Sequence, residues 1–317
     1  MDRRLIRAAI TVLLAVLLAA CDATTDPSAS AVPTTLDATP SGPTTSATNP
    51  VVRTPTPATP SPTRSPSPTP SPTSSAPVAV GPAPCPGRAG NTARGPNDDQ
   101  SSTNWSGYTA LATKPVFTCV EATWVQPTIK CSGNSTRAVS IWVGIGGFDQ
   151  FGLVQIGSEV DCRHGRAVSS MWRESLPAQR SEVLIDLAVQ SGDTVRARVT
   201  AEGQSVYELS IVNVTRNKMF TVRETNKRVK ATSAEWIVEA PTGGCPSDCH
   251  VLPLPNFGKV RLSGTWLTAS GVRRTLAGSG YTHINDRMVS EQGDTTRALV
   301  TSTAADGSSF VVTWRHQ

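Results

Sequence analysis

Short segments in which apolar and polar residues alternate recur from Asn104 to the carboxyl end of the chain. In the clearest segment, Val195, Ala197 and Val199 alternate with two arginines and a threonine. A period of two is that of a β-strand with one buried face, and no window of ten residues shows a helical period. The pattern predicts an all-β fold built as an antiparallel β-sandwich or barrel. The other predicted strands include residues 183–189, 207–211, 271–275, 298–302 and 309–314.

The composition of the chain changes abruptly near residue 84. Residues 1–84 contain 16 of the 25 prolines, and residues 22–84 are almost entirely Ser, Thr, Pro and Ala. Such a segment lacks the apolar side chains that offset the entropy lost on ordering, so residues 21–84 are predicted to be a disordered linker. Residues 85–317 hold all seven tryptophans and are assigned to one folded domain.

The amino terminus, residues 1–20, is predicted to be a lipoprotein signal peptide. Three arginines precede an apolar run over residues 8–20, which is too short to span a bilayer comfortably. The run ends at Leu18-Ala-Ala-Cys21, which resembles the bacterial lipobox, whose cysteine accepts a diacylglyceryl group. We therefore expect lipidation at Cys21 and an anchor on the outer face of a bacterial cell membrane. An ordinary secretory signal with a coincidental cysteine is the alternative.

The net charge of +5 is small and its basic residues are scattered, so a nucleic-acid partner is not expected. Six cysteines follow Cys21, and an even number in an exported domain implies disulfides, with 15 possible pairings. We expect Cys245–Cys249 to close a small loop, Cys119–Cys131 to join a strand pair, and Cys85–Cys162 to pair by subtraction. A zinc site is disfavoured because no C-x-x-C pair occurs.

The segment Ser233-Ala-Glu-Trp-Ile-Val-Glu239 combines strand-like sequence with two carboxylates. In a strand, Ala234, Trp236 and Val238 share one face, which suits a core. Glu235, Ile237 and Glu239 then lie on the opposite face, a costly place for two acids unless water or a ligand is there. We predict that this second face is the floor of a cleft and that Glu239 does chemistry in it.

The usual nucleophiles lack a recognisable context. None of the four histidines lies in a base motif, and neither G-x-S-x-G nor H-E-x-x-H occurs. A second carboxylate, Glu174, follows Trp172 on the same face of a predicted strand. From the residues alone, Glu174 and Glu239 leave a glycosidase possible, because two acids can flank a glycosidic bond.

Several segments between residues 101 and 240 match one family in order. They are Ser102-Thr-Asn-Trp-Ser-Gly-Tyr108, Ala122-Thr-Trp-Val-Gln-Pro127, Ser140-Ile-Trp-Val-Gly-Ile-Gly-Gly147, Leu153-Val-Gln-Ile-Gly157, Trp172-Arg-Glu-Ser-Leu-Pro177, Gly192-Asp193 and Ala234-Glu-Trp-Ile-Val-Glu239. In this the domain resembles the glutamic peptidases, also called eqolisins or the G1 family. Each motif is weak alone, whereas their common order is fairly specific.

The resemblance implies a β-sandwich of the concanavalin A-like lectin/glucanase type, with its active site on a concave sheet. It implies Gln155 and Glu239 as the catalytic pair, acting in acid on a protein or peptide substrate without metal or cofactor. Glu239 would be the general base for water, and the Gln155 amide would donate to the oxyanion. Glu174 and three tryptophans match positions that line the cleft in the family: Trp105, Trp142 and Trp172. For each tryptophan, burial in a core is the alternative.

Two departures from the family pattern are visible. Gly146 stands where the family has aspartate in W-V-G-I-D-G, and Asp149 is a candidate replacement. The aromatic residues that follow Trp172 in the family are absent, which predicts different substrate subsites. Two other functions remain open at this point: a non-catalytic sandwich binding cell-wall polysaccharide through Trp105, Trp142 and Trp172, and the glycosidase using Glu174 and Glu239.

Overall fold

The alternating sequence forms β-strands throughout the part of the chain that the structure describes. A computed structural model describes residues 84–317, apart from positions 92, 132, 134, 149, 180 and 246. The predicted signal peptide, Cys21 and nearly all of the predicted linker lie outside the described residues. Within the described residues no helix is long and apolar enough to cross a membrane.

Nineteen strands are found among the described residues. They are β1 (Arg88–Ala89), β2 (Asn97–Ser102), β3 (Trp105–Leu111), β4 (Phe117–Val125), β5 (Arg137–Gly146), β6 (Leu153–Arg163), β7 (Arg166–Leu176), β8 (Val183–Ile185), β9 (Thr194–Gly203), β10 (Val206–Asn213), β11 (Lys218–Thr225), β12 (Ser233–Glu239), β13 (Thr242–Gly243), β14 (His250–Val251), β15 (Lys259–Ala269), β16 (Val272–Thr275), β17 (Thr282–Val289), β18 (Thr296–Val300) and β19 (Ser309–Trp314).

Two layers of mainly antiparallel strands can be followed through the pairings. The first layer runs in the order β8-β7-β6-β5-β12-β3-β17-β2, in which only the β17–β2 pair is parallel. The second layer runs β18-β19-β15-β4-β9-β10-β11, with β16 also paired to β15. A short pairing between β17 and β18 joins the layers at one side. The all-β sandwich prediction is confirmed.

The hydrophobic core lies between the two layers. Ala234, Trp236 and Val238 of β12 point into it, and each is fully buried. The Trp236 indole N–H donates to the backbone oxygen of Glu121 in the second layer, at 2.9 Å. Ile237 belongs to a separate apolar cluster on the other face of the first layer. The two faces of β12 are therefore divided as its alternation predicts.

The predicted strand over residues 183–189 is too long. Strand β8 ends at Ile185, where the N–H of Leu187 donates back to the oxygen of Ile185 at 2.8 Å. This tight local bond turns the chain and ends the ladder, although the apolar residues continue. Apolar alternation alone does not reveal where the backbone finds a local hydrogen-bond partner instead of a neighbouring strand.

The disulfides correct part of the sequence-based pairing. Cys245–Cys249 is confirmed, whereas Cys119–Cys131 and Cys85–Cys162 are wrong. The structure instead joins Cys85 to Cys119, with Cα atoms 5.7 Å apart, and Cys131 to Cys162, with Cα atoms 5.4 Å apart. The first bond ties the amino-terminal segment to β4, and the second ties the loop after β4 to the end of β6. Sequence spacing does not show which loops become neighbours of which strands. Pairing the remaining cysteines by subtraction therefore gave the wrong partners.

Candidate active site

Three neighbouring strands place the predicted catalytic pair on one face of the first layer. Gln155 of β6 lies opposite Gly144 of β5, and Gly144 lies opposite Glu235 of β12. Directly opposite residues share a face, and Glu239 shares that of Glu235 because it follows at an even spacing. Gln155 and Glu239 therefore point to the same side of the sheet, away from the core.

This face borders a pocket of about 550 Å³. The pocket wall includes Gln155 and Glu239, and with them Trp105, Trp172 and Glu174. Five of the six positions predicted for the cleft thus lie around a single space. Trp142 is the sixth, and it is fully buried beneath the pocket.

The Glu239 carboxylate accepts hydrogen bonds from the connection between β2 and β3 and from β5. One oxygen, Oε1, accepts from the Asn104 side-chain amide at 2.9 Å. The other, Oε2, accepts from the Trp142 indole N–H at 2.7 Å. Trp105 packs edge-to-face on Trp142, with ring centroids 5.1 Å apart. These contacts fix the carboxylate in one orientation at the pocket wall.

Burial raises the pKa of Glu239 to about 7, because the charged form loses hydration. The hydrogen bonds from Trp142 and Trp105 lower the pKa in turn, the negative charge of Glu174 raises it, and the bond from Asn104 lowers it. The Glu239 carboxyl group therefore titrates near neutral pH. Such tuning suits a group that takes and returns a proton during a reaction.

Gln155 and Glu174 form the second half of the site. They are directly opposite on β6 and β7, and the Gln155 amide nitrogen donates to Glu174 Oε2 at 2.7 Å. Burial raises the pKa of Glu174, whereas the bond from Gln155 lowers it and the charge of Glu182 raises it. A carboxamide has two N–H groups, so Gln155 keeps one for a ligand while Glu174 holds the other.

The tryptophans have different surroundings. Trp105 is partly exposed in the pocket, and Trp172 is 4 % exposed with an indole N–H that has no hydrogen-bond partner among the described residues. Trp142, at 0 % exposure, contacts Glu239 instead of open space. Together with Leu153 and Ile237, Trp142 and Trp172 form the apolar cluster beneath the site.

Comparison with known proteins identifies the family. The model of the Peptidase A4 family matches residues 103–314. The chain belongs to the Peptidase A4 family. Its enzyme class is accordingly that of a glutamic-type peptidase, a hydrolase, and the resemblance drawn from the motifs is confirmed. No curated protein matches the chain.

Solved structures share the fold of this Peptidase A4 chain. Scytalido-glutamic peptidase with a transition state analog inhibitor is 20 % identical, with a TM-score of 0.58 over 68 % of this chain and 100 % of that chain. SCP-B, an eqolisin-family peptidase in a complex with the tripeptide Ala-Ile-His, is 21 % identical, with a TM-score of 0.56 over the same shares. At this identity the likeness establishes the β-sandwich fold and nothing finer.

Glycine at two positions shapes the Peptidase A4 site in this chain. At Gly157 a Cβ atom would lie 2.3 Å from the Ile141 backbone oxygen and 2.6 Å from Trp142 Cβ, so only glycine lets Trp142 lie against β6. Gly146 has a φ of 88°, and a Cβ there would lie 2.3 Å from the Gly152 oxygen. The backbone thus occupies the space that a side chain at position 146 would need. Asp149, the candidate replacement carboxylate, lies outside the described residues.

Several residues of the Peptidase A4 pocket were missed from the sequence. Asn104 lies within the Ser102–Tyr108 motif, and only the structure shows that its side-chain amide donates to Glu239. Glu159 and Asp161 of β6 and Glu182 after β7 also line the pocket. For the two β6 acids the signal was present, because they continue the period-two series that begins at Gln155.

Replacing Trp142 by Phe tests the support of Glu239. The variant keeps an aromatic ring but removes the N–H that stabilises the carboxylate, so the pKa of Glu239 should rise above that of the unchanged protein. Carboxyl ¹³C NMR titration measures this directly. Trp314→Phe is the matched control, because its indole N–H donates to the Leu254 oxygen away from the pocket. An unchanged Glu239 pKa in Trp142→Phe would show that the indole bond does not tune the carboxyl.

Proposed function

We propose that the chain is an endopeptidase that hydrolyses peptide bonds with Gln155 and Glu239 as its catalytic pair. The observation that carries the proposal is that both side chains lie on one sheet face and line one pocket. Each is also held by a second side chain, Glu174 for Gln155 and Trp142 for Glu239. A protein or peptide is the substrate class that membership of the Peptidase A4 family supports.

The proposed chemistry uses one carboxylate and one carboxamide. Ionised Glu239 takes a proton from a water molecule as that water attacks the peptide carbonyl carbon. The free N–H of Gln155 donates to the developing oxyanion without adding charge to the site. Protonated Glu239 then returns the proton to the leaving nitrogen, which completes hydrolysis. The N–H groups of Asn104 and Trp142 keep the carboxylate oriented during both transfers.

The two alternative functions receive less support. Polysaccharide binding was expected to use three exposed tryptophans, but Trp142 is fully buried. The glycosidase would leave Gln155 without a role, although Gln155 is bonded to Glu174 in the pocket. No described feature favours either alternative over peptide hydrolysis, so neither is proposed here.

Substitution of the pair tests the assignment. Gln155→Ala removes an oxyanion donor and should lower kcat/KM about 10²- to 10³-fold. Glu239→Gln removes the general base and should lower it about 10²- to 10⁴-fold. Cleavage of a denatured protein and of a quenched-fluorescence peptide by the full chain measures both effects.

Gln190→Ala and Glu291→Gln are the matched controls, because both side chains are exposed and outside the pocket wall. Circular dichroism and thermal unfolding should be similar for all four variants. If Gln155→Ala or Glu239→Gln cleaves at the rate of the unchanged chain, the catalytic pair is misassigned.

We propose that the enzyme acts in acid, and the pH dependence of kcat and of kcat/KM tests this. Glu239 must be ionised to act as a base, and burial raises its pKa to about 7. Because kcat/KM reports the free enzyme, it should fall as pH drops below about 7. Acid action requires the pKa of Glu239 to be lower once a peptide is bound than it is in the free enzyme. The acid limb of kcat should therefore lie at lower pH than that of kcat/KM, and coincident limbs would remove the support for acid action.

We also propose attachment to the outer face of a bacterial cell membrane through a lipid on Cys21. The support is the sequence alone: the basic start, the apolar run over residues 8–20 and the lipobox-like end at Cys21. Cys21→Ser should move the protein from the detergent phase to the aqueous phase in a partition experiment on bacterial cells. A wild-type protein in the aqueous phase would contradict the anchor.

A further inference from the structure

The pocket contains more carboxyl groups than the proposed reaction uses. Besides Glu174 and Glu239, its wall includes Glu159, Asp161 and Glu182. Among the described residues of that wall, the one basic side chain is Arg163. Arg163 donates to Asp161 Oδ2 at 2.6 Å, and its side chain is 59 % exposed. One cation thus faces five acids, and it is committed to Asp161.

Glu159 lies in the same cross-strand row as Glu239. Ser140 of β5 is directly opposite both, and its hydroxyl donates to Glu159 Oε2. Two strand spacings separate β12 from β6, about 10 Å. An extended peptide covers that distance in about three residues. A group bound at Glu159 therefore belongs to a substrate residue within about three positions of the scissile bond.

Two buried polar atoms on the pocket wall point independently to a peptide ligand. Trp172 is 4 % exposed and its indole N–H has no acceptor among the described residues. Gln155 is 5 % exposed and its Oε1 has no donor in the same part of the chain. Buried polar groups are normally hydrogen-bonded, and an extended peptide offers both the carbonyl and the N–H that these atoms lack.

We propose that the end of the pocket formed by Glu159, Asp161 and Glu182 is a subsite for a cationic side chain of the peptide substrate, lysine or arginine. This inference rests on the proposed peptidase function. Glu159 is the main contact, because Asp161 is already paired with Arg163. Glu182, exposed at the rim, adds negative charge to the entrance. The proposed subsite accounts for acids that are placed in the wall but take no part in proton transfer.

The subsite should depend on pH because it competes with a proton. Glu159 faces Asp161 on its own strand, Ser140 from β5, Ser170 from β7 and Glu182 from the segment after β7. Burial raises the pKa of Glu159 to about 8, and the neighbouring charge of Asp161 raises it too. An entering ammonium or guanidinium group replaces that proton as the compensating positive charge. Selectivity for a cationic residue should therefore increase as pH rises from about 5 to 8.

The experiment compares matched peptides on the full chain in detergent. One series carries a single lysine at each of three positions on either side of the scissile bond, and the other carries norleucine there. All peptides are acetylated at the amino terminus, and an unacetylated norleucine peptide shows whether a terminal amine can replace the side chain. The readout is the lysine-to-norleucine ratio of kcat/KM at each position and pH. The same peptides are titrated calorimetrically against Glu239→Gln, which measures binding without turnover.

We expect one position to favour lysine by at least about tenfold, the low end of the contribution of a hydrogen bond to a charged group. Glu159→Gln should bring that ratio close to one, Glu182→Gln should reduce it less, and Glu291→Gln should leave it unchanged. A lysine-to-norleucine ratio near one at every position would overturn the subsite. A lysine preference that survives Glu159→Gln would also overturn it. Lysine-selective binding to Glu239→Gln, with no cleavage of any peptide by the unchanged chain, would keep the subsite and reject the peptidase proposal. The two failures are therefore distinguishable.

Discussion

The register between β12, β5 and β6 is the constraint on which the site depends. Trp236 and its neighbours must face the core, and this requirement sets which side chains point the other way. A slip of one residue would exchange the two faces of a strand, which would bury Glu239 in the core and expose Trp236. The apolar face therefore specifies the position of the pocket face, although it does not line the pocket. Cleft and core are two consequences of one pairing pattern.

Nearby hydrogen-bond donors offset the free-energy cost of placing carboxyl groups on a partly buried sheet face. Glu239 receives N–H groups from Asn104 and Trp142, and Glu174 receives one from Gln155. Each donor stabilises the charged form, while burial destabilises it, so the pKa of Glu239 is set by a balance and not by either effect alone. Trp142, one of these donors, is itself part of the apolar cluster with Trp172 and Ile237, and this packing holds its indole in place.

Much of this arrangement could be predicted from the sequence, because alternation reports faces directly. The division of β12 into a core face and a pocket face followed from seven residues, and β19 has the predicted limits, Ser309–Trp314. Two of the three disulfides could not be predicted, because Cys119 and Cys162 pair with cysteines of segments whose paths depend on the whole fold. Trp142 shares the predicted face but lies beneath it, since its depth depends on Gly157, on a neighbouring strand. Alternation gives the direction of a side chain and not the layer that it occupies.

The acids of the pocket act over a short range, and this determines what they can select. The net charge of +5 is spread over the chain and is screened within about 8 Å at physiological ionic strength. It neither attracts nor repels a basic substrate strongly from a distance. Glu159 and Asp161 are partly or fully withdrawn from water, where screening is weaker and a hydrogen-bonded cation interacts more strongly. Discrimination by these groups would therefore arise after the peptide enters the pocket, and it would persist in salt concentrations that abolish long-range steering.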